Sequence, residues 1–271
     1  MLIRPGAVGD CILSFPALEF AKADFTEVWI SSSVVPLVQF ANRVKSIAST
    51  QIDLVLDDGI PHSLRKTLGE FDEIVSWYGA NRPEFRAAIN AIHPHCTFLQ
   101  ALPPEGWHEH ACNFFLQQVG SPPGSIPTIR IGAVDPRTSL IIHPFSGGRQ
   151  KNWPLDHFRE LARQLPLPVE WTAGPAEELP GAHREGNLLD LARWMKGATA
   201  YLGNDSGISH LAAAIGLSTV ALFGPTRAQV WRPLGEHVRI LQHKPLTELR
   251  VETVICLVTS LWSSITKPNS C

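Results

Sequence analysis

The sequence has no long hydrophobic run, no basic excess and no paired-cysteine motif, and each absence excludes a class of protein. No apolar stretch approaches the ~20 residues that span a bilayer, and the start, MLIRPGAVGD, reaches a glycine turn without the apolar core of a signal peptide. The formal net charge of −2 argues against a nucleic-acid partner. Five cysteines without a CxxC pair are typical of a reduced compartment. We therefore expect a cytoplasmic protein with no transmembrane segment, whose contact with a membrane would be peripheral.

Short apolar runs alternate with amphipathic segments along the whole chain, which predicts an α/β protein with parallel sheets. A length of 271 residues favours two domains. The proline- and glycine-rich stretch SPPGSIPTIRIGAVDPRT separates the two halves, and we place the boundary there, giving domains 1–134 and 135–271. Each is predicted to be a doubly wound parallel sheet that binds ligands at the carboxyl ends of its strands. A last helix near 247–261 is a candidate to pack back on the N-terminal domain.

The pattern predicts ten strands and seven helices. The predicted strands are Leu2–Arg4, Glu27–Ser31, Asp53–Leu56, Glu73–Ser76, Thr97–Leu99, Leu140–His143, Val169–Thr172, Ala200–Gly203, Thr219–Phe223 and Val238–Leu241. The predicted helices are 10–22, 84–91, 108–119, 155–164, 188–197, 207–216 and 247–261.

Two glycine-rich turns follow predicted strands. In RPGAVGD, Gly6 and Gly9 allow a sharp turn or a close approach to a ligand, although a plain βα turn with Asp10 as helix N-cap explains the stretch equally well. In HPFSGGRQKNWP, small residues followed by Lys151 suit a phosphate, whereas a solvated loop lysine is the simpler alternative. Neither turn is a GxGxxG fingerprint or a Walker A loop, which disfavours an NAD-dependent dehydrogenase.

A third stretch, GNDSGISHLAAAIG, places polar residues at the start of an apolar helix. Free N–H groups and the positive end of the helix dipole make such a start an anion site, and His210 points back toward it. The alternative is a Ser206 N-cap with a half-buried His210. Asp205, Ser206 and His210 lie too close in sequence for a catalytic triad, and there is no GxSxG elbow.

Histidines and cysteines also cluster in HPHC at 93–96 and HEHAC at 108–112. Their spacing does not match the common zinc patterns, and His108, Cys112, Phe115 and Val119 would share one face of a helix. The sequence also lacks a DxD pair of the kind that holds a divalent ion against a diphosphate. We therefore predict no metal site.

Taken in this order, RPGAVGD, HPFSGGRQKNWP, GPAEE at 174–178 and GNDSGISHLAAAIGLSTVALFGPT at 203–226 resemble glycosyltransferase family 9. Its best-known members are the ADP-heptose:lipopolysaccharide heptosyltransferases. The last block is the most specific, because it follows the family pattern D-[ST]-G-x-x-H-L-A-A-A and a strand ending in F-G-P-T.

The resemblance implies a GT-B fold, with two Rossmann-like domains facing a cleft, the acceptor on the first and the nucleotide-sugar on the second. It implies inverting, metal-independent transfer of a sugar, heptose being the expected one, from an ADP-sugar to a saccharide or lipid-linked acceptor such as a lipopolysaccharide core. No further cofactor is expected. The alternatives are another nucleotide-sugar with a different acceptor, and a catalytically idle nucleotide-binding module.

The resemblance also assigns roles to residues of this chain. Asp10 matches the proposed general base, and Lys151 matches the lysine that stabilises the departing diphosphate. The remaining matches are Ser146, Ser206, Gly207 and His210 for phosphate contacts, Asp205 for the sugar, and either Glu177 or Glu178 for the ribose hydroxyls. The acceptor, the linkage and the oligomeric state are not specified by the sequence.

Overall fold

The computed structural model describes residues 1–55 and 59–266, and the chain forms two compact units. The first unit comprises Met1–Trp107 and Ala111–Ser125, and the second comprises His108–His110 and the chain from Ile126 onward. The border at Ser125 lies inside the stretch 121–138 from which a boundary was expected. The functional domains set at 1–134 and 135–271 stay a prediction.

The first unit is a five-stranded parallel sheet flanked by four helices. Its strands are β1 (Leu2–Arg4), β2 (Glu27–Ile30), β3 (Arg43–Ser46), β4 (Ile74–Ser76) and β5 (Cys96–Phe98), in the order β3-β2-β1-β4-β5. Its helices are α1 (Val8–Phe20), α2 (His62–Leu68), α3 (Pro83–Asn90) and α4 (Ala111–Gln118). The buried central strand β1 places Ile3 beside Trp29 of β2 and Ser76 of β4, so the glycine-rich turn leaves from the middle of the sheet.

One predicted strand of this unit is wrong, and one strand and one helix were not predicted. The segment predicted as strand Asp53–Leu56 begins as a 3₁₀ turn over Ile52–Leu54, and residue 56 lies outside the described part of the chain. The third strand is Arg43–Ser46, a partly exposed edge strand with two basic residues and none of the apolar character that marks the others. Helix α2 was also not foreseen.

The second unit is a second five-stranded parallel sheet. Its strands are β6 (Leu140–His143), β7 (Val169–Trp171), β8 (Ala200–Asn204), β9 (Ser218–Phe223) and β10 (Val238–Gln242), in the order β10-β9-β8-β6-β7. Its helices are α5 (Leu155–Gln164), α6 (Leu188–Lys196), α7 (Gly207–Ala214), α8 (Ala228–Trp231) and α9 (Val251–Thr266). Within the unit, α9 places Val254 and Val258 in one core with Phe158 of α5. Packing of α9 on the first unit stays a prediction.

Both sheets are doubly wound, and each reverses its strand order once. In the first sheet, β2 and β3 lie on one side of β1, and β4 and β5 lie on the other. In the second sheet, β7 lies on one side of β6, and β8, β9 and β10 lie on the other. Open α/β sheets bind ligands outside the carboxyl ends of the strands at such a switch point. Among the described residues, no helix is both long and apolar enough to cross a membrane.

Candidate functional site

Two loops of the second unit meet at its switch point, where β6 and β8 are neighbours and His143 pairs with Gly203. Asn204, the last residue of β8, is fully buried and connects the loops. Its side-chain oxygen accepts a hydrogen bond from the Trp153 backbone N–H at 3.0 Å, and its amide donates to the Pro144 carbonyl at 2.8 Å. The sequence analysis assigned Asn204 no role, although its place directly before Asp205 was the available signal.

Three predicted residues come together beside this asparagine. The Ser146 hydroxyl donates to the backbone carbonyl of Asp205 at 2.6 Å, and Lys151 Nζ lies 2.8 Å from Asp205 Oδ2. The Asp205 side chain is 7% exposed and that of Lys151 is 37% exposed. The ammonium lies off the hydrogen-bonding direction of that oxygen, which has no hydrogen-bond partner among the described residues. Lys151 and Asp205 are therefore a close ion pair whose ammonium remains partly exposed.

Helix α7 begins directly after this pair. Ser206 occupies its N-cap position with extended backbone, but the Ser206 side chain makes no cap hydrogen bond. Its hydroxyl is buried and has no well-aligned hydrogen-bond partner in the described part of the chain. The first-turn N–H groups of a helix have no intrahelical acceptors, and the dipole adds partial positive charge there. The capping alternative therefore leaves the serine hydroxyl unexplained, whereas an anion would use it.

His210 lies one turn into α7 and is buried. The pKa of His210 is lowered to about 4, mainly by burial and also by the nearby His110 and Lys151, against the opposing effect of Asp205. The imidazole is therefore neutral at pH 7. Its Nδ1 is buried without a hydrogen-bond partner among the described residues. We call Ser146, Lys151, Asp205, Ser206, Gly207 and His210 the anion site.

His110 is a residue of this unit that the sequence analysis did not connect with the site. Its Nε2 lies 2.8 Å from the carbonyl oxygen of Arg232, so it is the protonated, donating nitrogen. Burial lowers the pKa of His110 to about 4, although this hydrogen bond acts in the opposite direction. Nothing in the HEHAC stretch indicated the contact, because the acceptor is a main-chain oxygen far along the chain.

Glu177 and Glu178 differ in their surroundings. Glu177 Oε2 accepts hydrogen bonds from the Gly174 backbone N–H at 2.6 Å and from His143 Nε2 at 3.0 Å, whereas Glu178 is exposed. Burial alone would raise the pKa of Glu177, but the hydrogen bonds from His143 and Gly174 hold it below its usual value. Arg184 donates to the carbonyls of Gly174 and Glu177 and thereby fixes the loop. The Glu177 carboxylate is thus fixed by hydrogen bonds beside the end of β6.

Asp10 lies in the first unit, in the first turn of α1. The N-cap of that helix is Ala7, so the interpretation of Asp10 as the N-cap is wrong; Asp10 is the third helical residue. Gly6 has φ +135°, which favours glycine and turns the chain out of β1. A Cβ at Gly6 would come within 3.3 Å of Asp10 Cβ. The turn therefore requires glycine and brings the aspartate close to it.

The histidine and cysteine cluster does not form a metal centre among the described residues, where no group of three or more His, Cys, Asp or Glu side chains could hold an ion. His93 Nε2 contacts the Phe71 carbonyl at 2.8 Å. Helix α4 begins at Ala111, so the prediction that His108 shares a helical face is wrong. Metal independence stays a prediction.

Comparison with known proteins finds a family match within the second unit. Residues 185–254, which contain most of the anion site, match the family model described as glycosyltransferase family 9 (heptosyltransferase). A stretch of 91 residues is 32% identical to lipopolysaccharide heptosyltransferase 1 of Pseudomonas aeruginosa and covers 28% of this chain. Residues 185–254 are therefore similar to glycosyltransferase family 9. The matched stretch spans only 26% of the length of that relative.

Solved structures extend the likeness in fold to nearly the whole chain. The E. coli ADP-heptose lipopolysaccharide heptosyltransferase II matches with a TM-score of 0.73 at 18% identity, covering 96% of this chain and 97% of that one. The iron-containing dodecameric glycosyltransferase TibC of E. coli matches with a TM-score of 0.67 at 15% identity, covering 99% of this chain and 80% of that one. These likenesses show the GT-B fold, with two Rossmann-like units.

Proposed function

We propose that this protein is an inverting, metal-independent glycosyltransferase that moves heptose from ADP-heptose to a saccharide or lipid-linked saccharide, such as a lipopolysaccharide core. The observation that carries the proposal is the anion site. It combines a partly exposed lysine, a buried serine hydroxyl without a well-aligned hydrogen-bond partner among the described residues, and a helix N-terminus. All three favour a bound diphosphate.

The leaving group is the ADP diphosphate, whose negative charge grows as the bond to the anomeric carbon breaks. Lys151 and the first-turn N–H groups of α7 supply positive charge to it, which is the role a divalent ion would otherwise have. The neutral His210 contributes a hydrogen bond rather than a charge. In this proposal Glu177 holds the ribose hydroxyls through the oxygen that is not engaged by His143, and Asp205 contacts the sugar.

Asp10 is the proposed base. Its carboxylate takes the proton of the acceptor hydroxyl as that oxygen attacks the anomeric carbon from the side opposite ADP, which inverts the configuration. A positioned general base contributes about 10²- to 10⁴-fold to a rate. The acceptor belongs, in this proposal, to the first unit, and the reaction to the cytoplasmic face of the inner membrane, where a lipid-linked acceptor is reached peripherally.

ADP release from ADP-heptose in the presence of heptose-free lipopolysaccharide tests the proposal. Asp10→Asn should lower kcat about 10²- to 10⁴-fold and leave the Kd for ADP near that of the unchanged protein. Glu178→Gln is the matched control at an exposed carboxylate. Unchanged turnover in Asp10→Asn would remove the base assignment, and binding of ADP without any turnover would favour the idle module.

Two further measurements address the mechanism and the donor. EDTA should leave the rate unchanged, and a loss of activity restored by iron or magnesium would contradict metal independence. NMR of the product should show the anomeric configuration opposite to that in ADP-heptose. A thermal-shift panel of ADP, UDP, GDP and their sugars separates the donor classes, because a ligand that binds only the folded protein stabilises it by RT ln(1 + [L]/Kd).

A further inference from the structure

Arg4, the last residue of β1, is a fully buried cation next to the glycine-rich turn. Its two terminal nitrogens donate to main-chain oxygens on either side of that turn. One bonds the Pro5 carbonyl at 2.6 Å and the other the Asp10 carbonyl at 3.2 Å. Its guanidinium carbon also lies 4.6 Å from the centre of the Phe115 ring on α4. A planar guanidinium holds several N–H donors in a fixed fork and can bridge two separated acceptors from different nitrogens, whereas an ammonium donates from one nitrogen only.

The carbonyl of Gly6, which lies between Pro5 and Asp10 in the sequence, also accepts hydrogen bonds. The Ser31 hydroxyl donates to the Gly6 oxygen at 2.6 Å, and the Cys11 thiol lies 3.6 Å from the same oxygen. The turn between β1 and α1 is therefore held by side chains from β1, α1 and the end of β2. Because Asp10 follows this turn directly, its position depends on these contacts, and Arg4 bonds carbonyls on both sides of the turn.

Arg4 also carries its charge in a buried place. Burial lowers the pKa of Arg4, and the groups that oppose this effect among the described residues are Cys11 and Asp10. Burial raises the pKa of the Cys11 thiol to about 11, so the thiol is neutral at pH 7. The carboxylate of Asp10 is then the negative charge that stabilises the guanidinium. An Arg4 nitrogen and Asp10 Oδ2 each lie 3.6 Å from the Cβ position of Gly6, so they are separated by at most twice that distance.

We propose that Arg4 is the positioning residue of the base: it fixes the turn that presents Asp10, and its charge favours the ionised form of the Asp10 carboxylate. The second role rests on the charge of Arg4, and the first on its two hydrogen bonds. The inference depends on the proposed function only in calling Asp10 the base. Opposite charges at this separation affect each other by about one pKa unit at an effective dielectric constant between those of a protein and water.

Carbon-13 NMR on protein labelled at aspartate carboxyls tests the charge effect without any substrate, with Asp10→Asn assigning the signal. Arg4→Met should move the Asp10 titration midpoint upward by about one pH unit. Arg4→Lys should leave the midpoint near that of the unchanged protein. Phe115→Leu is the control, because it removes the ring contact and keeps both the charge and the hydrogen bonds. Circular dichroism and urea unfolding report whether each variant is folded, because ADP binding uses the second unit and would not detect a change in the first.

Turnover then separates the two roles. Arg4→Lys keeps a charge but loses the bridge, so kcat should fall about tenfold or more without a shift of the acid limb of the pH profile. Arg4→Met should lower kcat and move that limb to higher pH. If Arg4→Met does not fold, Arg4→Lys compared with Phe115→Leu decides the positioning role. An unchanged midpoint in folded Arg4→Met, or unchanged kcat in Arg4→Lys, would overturn the inference, whereas a wild-type protein without turnover would overturn only the proposed function.

Discussion

Asp205 competes with a bound diphosphate for the same cation, and its removal should therefore tighten ADP binding. In the structure Lys151 Nζ lies 2.8 Å from Asp205 Oδ2, so a diphosphate that takes the ammonium must draw it away from this carboxylate. Asp205→Asn removes the competing charge. It keeps the main-chain carbonyl to which Ser146 donates, so the loop stays fixed. A mutation in a proposed binding residue is thus expected to raise affinity.

The size of the effect follows from the geometry of the pair. At 2.8 Å, Coulomb's law gives about 6 kcal/mol at an effective dielectric constant of 20 and about 1.5 kcal/mol in water. The Lys151 side chain is 37% exposed, so screening moves the value toward the lower end. We expect about 1–2 kcal/mol, which corresponds to an affinity for ADP about 5- to 30-fold higher. For ADP-heptose the gain should shrink or reverse, because Asp205 is the proposed contact of the sugar.

Isothermal titration of ADP and ADP-heptose at constant salt measures both changes. Lys151→Met should weaken ADP binding, and Asp205→Asn should have little effect on ADP in the Lys151→Met background, since the competition has been removed. The double-mutant cycle isolates this coupling. The reasoning fails if Asp205→Asn weakens ADP binding as much as Lys151→Met does, or if its gain persists when Lys151 is absent.

Three further predictions concern stability and the ribose contact. With pKa values of about 4 in the fold and about 6.5 in the unfolded chain, His110 and His210 bind more protons when unfolded, so stability should fall as pH decreases from 6.5 to 4. The loss should be on the order of 2 kcal/mol per histidine at pH 5, and urea unfolding of His110→Gln should show a shallower decline. Glu177→Gln should raise the KM for the ADP-sugar more than Glu178→Gln does; equal effects would contradict the assignment. Gly79→Ala should lower the free energy of unfolding by about 2–4 kcal/mol, because its φ is +73° and its Cβ would overlap a phenylalanine ring.

Much of the fold was predictable because most strands are short, apolar and buried. β1, β6 and α5 begin and end at the predicted residues, since their apolar periodicity and their flanking turn signals agree. The edge strand β3 was missed because an edge strand does not need an apolar sequence, and RVKS reads as a loop. The order of strands within each sheet does not follow from local pattern at all, since it depends on long-range pairing.

The residue types of the candidate site were predictable, but its internal contacts were not. The sequence indicated that Lys151 and Asp205 belong to one site, yet not that they form an ion pair, because that depends on the neighbouring positions of β6 and β8. Asn204, which holds both loops, and Arg4, which spans the first turn, act through main-chain oxygens. Main-chain partners leave no pattern in the sequence, and this is why both residues were missed.

The division of the chain separates binding from chemistry in a testable way. The anion site is built within the second unit, whereas Asp10 belongs to the first. Variants of the first unit should therefore alter transfer and spare ADP affinity. The tripeptide His108–His110 belongs to the second unit although its neighbours in sequence belong to the first, and His110 influences the charge of His210. His110→Lys should weaken ADP binding, because it replaces the imidazole that bonds the Arg232 carbonyl and places a charged side chain near His210. A comparable change at the exposed Glu109 should not weaken it.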